Sequence, residues 1–144
     1  MKPKWWNKSK RYISKRDRVM KNLLKHYKGH LTTRNNFFYS LTRSIISQQI
    51  SVSAADSVFL KFEKKCKGKI KPKTVSRLTI SDLRRCGLSR MKALGIKSLA
   101  NKILDKSFNP KLIKKMSDED AINYLSSLRQ IGRWSSEMVL IFFY

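Results

Sequence analysis

Glycine, proline, cysteine and acid are all scarce in this sequence. Five Gly and three Pro in 144 residues exclude a collagen-like or low-complexity chain. The two cysteines, Cys66 and Cys86, make no C-x-x-C pair and cannot alone supply a four-ligand metal site, so we expect no metal. They read as a reduced cytosolic thiol pair. No apolar run approaches the roughly 18 residues of a membrane span. No apolar h-region follows Met1-Lys-Pro-Lys-Trp-Trp-Asn-Lys, so no secretory signal is expected. Convincing period-two alternation is missing, and so is any repeat of solenoid length.

Acids number nine against 33 Lys and Arg, a formal charge of +24. The excess is blocked. Residues 1–30 hold eleven bases and one acid, and residues 61–92 hold twelve bases and two acids. Residues 31–60, between them, carry a net charge of only +1. Such basic faces are the electrostatic footprint of a polyanion binder. Twenty-two of the bases are Lys, a bias that an AT-rich genome would also produce. No basic amphipathic helix has a clean, strongly apolar face, which disfavours a membrane-surface role. Apolar residues at 41% suffice for a core in a chain of one-domain size.

The apolar spacing predicts an all-α fold of about seven short helices. Val19, Met20, Leu23, Leu24 and Tyr27 mark an amphipathic helix over 15–28, stopped by Gly29. Phe37, Phe38, Leu41, Ile45 and Ile46 mark a second, central helix ending near Gln48 or Gln49. Ser51 is an N-cap for a third, with Val52, Ala55, Phe59 and Phe62 on one face. Residues 64–73 read as an exposed polar loop. Ser81 and Ser89 start two more helices, and Asn109-Pro110 starts another with Pro at its first position. Ser117 with Asp120 reads as a capping box before Ile122, Leu125 and Leu128. The end, Val139-Leu-Ile-Phe-Phe-Tyr144, reads as half of a core helix without a polar tail.

The most informative stretch is Leu125-Ser-Ser-Leu-Arg-Gln-Ile-Gly-Arg-Trp-Ser-Ser-Glu-Met138. A helix ends near Leu128, a tight Gly-containing turn follows, and a second helix starts near Trp134. Amides at the start of that helix have no intrahelical partner and, with the dipole, can hold a phosphate. Arg133 would add a mobile charge. Such a grip positions a duplex and reads no sequence. Structural hairpins share the same pattern.

This segment resembles the helix–hairpin–helix of the DNA glycosylase superfamily, with the form G-I-G-R-W-T-A-E-M in one branch. Three further stretches match that branch in order. Ser44-Ile-Ile-Ser-Gln-Gln-Ile-Ser-Val-Ser-Ala-Ala55 resembles R-A-I-x-G-Q-Q-[IL]-S-V-x-A-A. Leu83-Arg-Arg-Cys-Gly-Leu-Ser-Arg-Met-Lys92 resembles L-x-x-x-G-[LF]-S-x-x-K. Met116-Ser-Asp-Glu-Asp120 resembles M-S-D-E-E. The branch is the 3-methyladenine DNA glycosylase II type.

The resemblance implies a basic N-terminal arm over 1–14 and an incomplete glycosylase domain over 15–144, its hairpin at 125–144. It implies base excision repair of alkylated double-stranded DNA, by hydrolysis of the glycosidic bond of a flipped alkylpurine. Trp134 and Met138 would line the base pocket. Gln48, Gln49, Gln130, Ile131, Gly132, Arg133 and Ser135 would contact DNA, with Gln49 filling the gap that the flipped nucleotide leaves. Relatives that cut the strand carry a nucleophilic Lys where Trp134 stands, so the chemistry would be monofunctional. The resemblance implies no cofactor, no membrane, a monomer if complete, and a place in the bacterial cytoplasm at the nucleoid. Three departures stand out. Gln130 replaces a Gly, with strain if φ is positive there. Ser47 replaces another Gly. The family's catalytic Asp would fall about ten residues past Tyr144, so the chain is expected to be incomplete and its own activity doubtful; Glu137 is a poor substitute. The alternative is a non-enzymatic basic DNA-binding helix–hairpin–helix protein.

Overall fold

A computed structural model of the chain describes residues 2–33 and 36–143. It is built of helices, and no strand forms among the described residues, as the spacing predicts. Two compact units divide at Met1–Asn35 and Asn36–Tyr144.

The first unit differs from the expected arm and single helix. Residues within the expected arm already form α1, Trp6–Arg16, and a second helix, α2, covers Arg18–His26. Asp17 separates them. Its backbone is extended, and its carboxylate accepts the Met20 amide at 2.9 Å, so α2 begins on a fresh N-cap. Tyr27 ends α2 with an extended backbone before Gly29 is reached. Neither helix buries a residue, and Val19 and Tyr27 lie open.

The second unit holds the core. Asn36 caps α3, Phe37–Ser47, whose Leu41, Ile45 and Ile46 are fully buried. Ser51 accepts the Ala54 amide and starts α4, Val52–Lys65. Ala55, Phe59 and Phe62 of α4 face inward as expected, whereas Val52 lies open. Ser89 caps α7, Arg90–Leu104, which presents Ala93, Ile96, Leu99 and Ala100 to the same core. Helix α8, Asp118–Ser126, adds Ile122 and Leu125, and Leu128 follows it into the interior. Burying each such Leu or Phe stabilises the fold by about 1.5–3 kcal/mol.

Two local expectations are corrected. Residues 64–73 are no open loop. Helix α4 runs to Lys65, Cys66 and Ile70 are buried, and Pro72 opens the short helix α5, Pro72–Val75. The lysines of this stretch hid the two apolar anchors between them. Helix α6, Ile80–Arg85, is capped by Thr79 and not by Ser81. Thr79 Oγ1 accepts the Asp82 amide at 3.0 Å, and the Asp82 carboxylate accepts the Thr79 amide at 3.0 Å. A 3-10 helix follows α7 at Pro110–Lys115, capped by Asn109. The last helix, α9, covers Arg133–Phe143, with Ile141 and Phe142 partly open; Tyr144, the end of the expected half-helix, lies outside the described residues.

Asp82 ties several elements together. Besides the cap, it pairs with Lys65 at 2.8 Å and Arg85 at 3.2 Å. The Lys65 hydrogen bond, followed by those of Thr79, holds its carboxyl well below the usual carboxylate range. A carboxyl depressed on folding stabilises the fold above its unfolded pKa, near 4, and loses that contribution as pH falls through the folded value. Asp82→Asn should therefore lower Tm at pH 7. The gap to the unaltered chain should narrow in thermal melts below about pH 3.

Candidate functional site

The turn between α8 and α9 is set by two buried anchors. Leu128 and Ile131 both point into the core, and their amides donate to Leu125 O at 3.0 Å and Leu128 O at 3.1 Å. Between them Gln130 takes φ of +68°, the left-handed backbone that the expected Gly would adopt freely. The strain anticipated at this position is therefore real. Gly132 needs no such conformation and has open space where a Cβ would lie. Ser136, fully buried, locks the start of α9. Its Oγ donates to Gly132 O at 3.0 Å and lies 3.1 Å from Ser126 Oγ.

Helix α7 closes against this turn at Gly95. A Cβ there would lie 2.8 Å from Gln130 Cγ and 3.2 Å from Arg129 O. A glycine in mid-helix costs about 0.5–1 kcal/mol relative to Ala. That cost is the sequence signal for Gly95, which was overlooked.

The end of α3 reaches the same turn. Gln48 Nε2 donates to Gln130 O at 2.8 Å and to Ser135 Oγ at 3.3 Å. Lys92 Nζ donates to Ile46 O at 2.8 Å and Gln48 O at 2.6 Å. Burial lowers the pKa of this ammonium. Beside these ties lies a cleft of about 640 Å³, lined by residues that include Gln48, Gln49, Lys92, Gln130, Trp134 and Ser135. Its lining contains no carboxylate among the described residues. Trp134 is 66% exposed, so its indole is free to meet a ligand.

Several expected contacts are redrawn by the structure. Gln48 and Ser135 turn their side chains to each other, which makes them ties within the molecule. Ile131 belongs to the core, so only its backbone remains at the turn. Met138 is half-buried and does not line the cleft. Arg133 is paired with two carboxylates of its own chain. Its guanidinium grips Glu119 with two bonds of 2.6 and 3.1 Å, and Glu137 with a third of 3.0 Å. These bonds push the Arg133 pKa up and the Glu119 pKa down. The helix-start amides, the Gln130 turn and the exposed Gln49 and Trp134 remain able to face a ligand. An anion at this hairpin would then be held mainly by amides. The sequence signal for Lys92 is its place at the end of the Leu83–Lys92 motif.

The fit between α7 and the hairpin is testable. Gly95→Ala should destabilise the chain, by about 1–2 kcal/mol, because the clash exceeds the helix gain. Gln130→Gly removes the closest part of the clash and the left-handed strain, leaving the contact with Arg129 O. In that background the penalty of Gly95→Ala should shrink by about 0.5–1 kcal/mol in urea unfolding.

Known proteins resemble this chain in sequence and in fold. Residues 42–139 match the family described as HhH-GPD superfamily base excision DNA repair protein. An alkylbase DNA glycosidase-like protein of Schizosaccharomyces pombe is 32% identical over 109 residues, covering 73% of this chain and 51% of that protein. The solved DNA-3-methyladenine glycosidase of Bacillus halodurans is 27% identical with a TM-score of 0.74, covering 80% of this chain and 54% of that one. The solved 3-methyladenine DNA glycosylase of S. pombe, in complex with abasic DNA, is 28% identical with a TM-score of 0.78. It covers 94% of this chain and 69% of its own. The chain spans about half the length of the curated relatives it matches. With the turn between α8 and α9, the left-handed Gln130 and the Gln48 tie all inside the matched span, the chain belongs to the HhH-GPD superfamily of base excision DNA repair proteins.

Proposed function

We propose that this chain is the hairpin-bearing part of a monofunctional alkylpurine DNA glycosylase, working on double-stranded DNA in a bacterial cytoplasm. The observation that carries the reading is the exposed indole of Trp134, which faces a cleft also lined by the Gln48–Gln49 turn. An alkylated purine is cationic, and an indole face attracts a cation by about 0.5–2 kcal/mol. A base within a duplex is out of reach, so the nucleotide must leave the stack. Gln49, exposed beside the cleft, would fill the gap, while the hairpin amides hold the adjacent phosphate. Tryptophan offers no amine for a Schiff base, so the base would be released by water without strand cleavage. Relatives named as 3-methyladenine glycosylases, one of them solved with abasic DNA, support this reading.

The departing base leaves positive charge on the sugar, which a carboxylate must stabilise. On this reading that carboxylate lies outside the described lining of the cleft. Glu137 is engaged by Arg133 and is not among the residues lining the cleft. The acid-free lining is also what favours the second reading, a DNA binder without chemistry.

Affinities for abasic-analogue and plain duplexes separate the two. A glycosylase-derived site should bind a duplex holding an abasic-site analogue on the order of tenfold tighter than a plain one, since that site needs no unpairing. Both affinities should fall steeply with salt, by a slope of about −0.9 per phosphate contacted. Equal affinity for the two duplexes, with no methylpurine release under single-turnover conditions, would establish the non-enzymatic binder instead.

A further inference from the structure

Gln49 takes φ of +57°, a left-handed backbone that a residue with a Cβ keeps only where its surroundings impose it. Two ties surround it. On one side the Gln48 side chain is bonded to the hairpin at Gln130 O and Ser135 Oγ. On the other, Lys92 Nζ bridges the carbonyls of Ile46 and Gln48, 2.8 and 2.6 Å away. These carbonyls lie at the C-terminal end of α3, where the helix supplies no donor of its own. An ammonium there also meets the negative end of the helix dipole. Lys92 forms no ion pair among the described residues, and burial has removed part of its water. Its charge is thus directed at this one turn.

We infer that Lys92 is a positioning residue for Gln49: by clamping the carbonyls just before it, Lys92 fixes the backbone from which the Gln49 side chain projects beside the cleft. This rests on the reading of Gln49 as the side chain that fills the gap of a flipped nucleotide. A loosened clamp would free the 48–50 turn to leave the left-handed region. The Gln49 side chain would then have to be ordered during binding, and the preference for a gapped stack would fall. Plain duplex binding, which needs no such insertion, would lose only the effect of one charge.

The test is a double-mutant cycle on the 144-residue chain, reading the ratio of affinities for abasic-analogue and plain duplexes. The ratio cancels the simple loss of a charge. Lys92→Met should lower it by about tenfold, and Lys92→Arg, which keeps two directed donors, should restore most of it. Gln49→Ala should lower the ratio as well, and adding Lys92→Met to it should lower it no further. If Lys92→Met does not fold, Lys92→Gln, able to reach only one carbonyl, takes its place in the cycle. A ratio that survives loss of the amine, or that falls independently in the Gln49→Ala background, would overturn the role of Lys92. If the unaltered chain shows no abasic preference at all, it is the gap-filling role of Gln49 that fails, and with it the proposed function.

Discussion

The side-chain amide of Gln48 is the tie on which the site's geometry depends. It reaches from the end of α3 to Gln130 O, 82 positions away in sequence, at 2.8 Å. That single donor joins the turn after the central helix to the turn before α9. A carbonyl at a left-handed residue points where no helix or strand would supply a donor, so it needs a side chain. Leaving it unpaired in a half-buried setting would cost about 1–3 kcal/mol. Gln48 meets that need, and in doing so is diverted from the ligand. The pair of glutamines therefore divides its work: Gln48 holds the protein together and Gln49 stays free.

The same economy governs charge. The chain is strongly basic, yet Arg133, the cation at the start of α9, is held by two carboxylates. A long, flexible cation at this point would bind phosphate in many geometries. Backbone amides at a helix start bind it in one. With Arg133 fixed across α8 and α9 through Glu119, it braces the two arms of the hairpin. The exposed ion pairs themselves contribute little. Their value lies in orientation, together with the part-buried Ser126–Ser136 contact, whose Ser136 side is closed to solvent.

Periodicity read the core well and the joints poorly. Leu41, Ile45, Phe59, Ile96 and Leu125 were all visible as apolar positions at helical spacing, and all are buried. Caps by Asn109, Ser51, Ser89 and Ser117 were equally visible, because the side chain and its target amide lie within three residues. Asp17 was missed because an acid within a basic amphipathic run looks like surface, not like a cap. Cys66 and Ile70 were missed because flanking lysines dominate any composition window. The site showed the same division. The hairpin turn and Trp134 could be placed from local pattern. The partners of Gln48, Lys92 and Gly95 could not, since each contact joins residues at least 34 positions apart.

Those long-range contacts converge on strained backbone. Gln49 and Gln130 are both non-glycine residues with positive φ, and Gln48 touches one and precedes the other. Each such residue costs on the order of 1–3 kcal/mol, so two together would loosen a site that nothing else held. Here Lys92 clamps the first turn, while Gly95 gives the second room against α7. Both come from one helix, one turn apart on its inward side. Helix α7 is thus the scaffold against which both turns are set, and its buried face of Ala93, Ile96 and Leu99 fixes its rotation. A glycine substituted at position 130 would relax the hairpin but would leave α7 facing a more mobile turn. The strain fits a site that must present two turns at one fixed separation, and on the proposed reading a rigid duplex offers its phosphate and its gap at a fixed separation too.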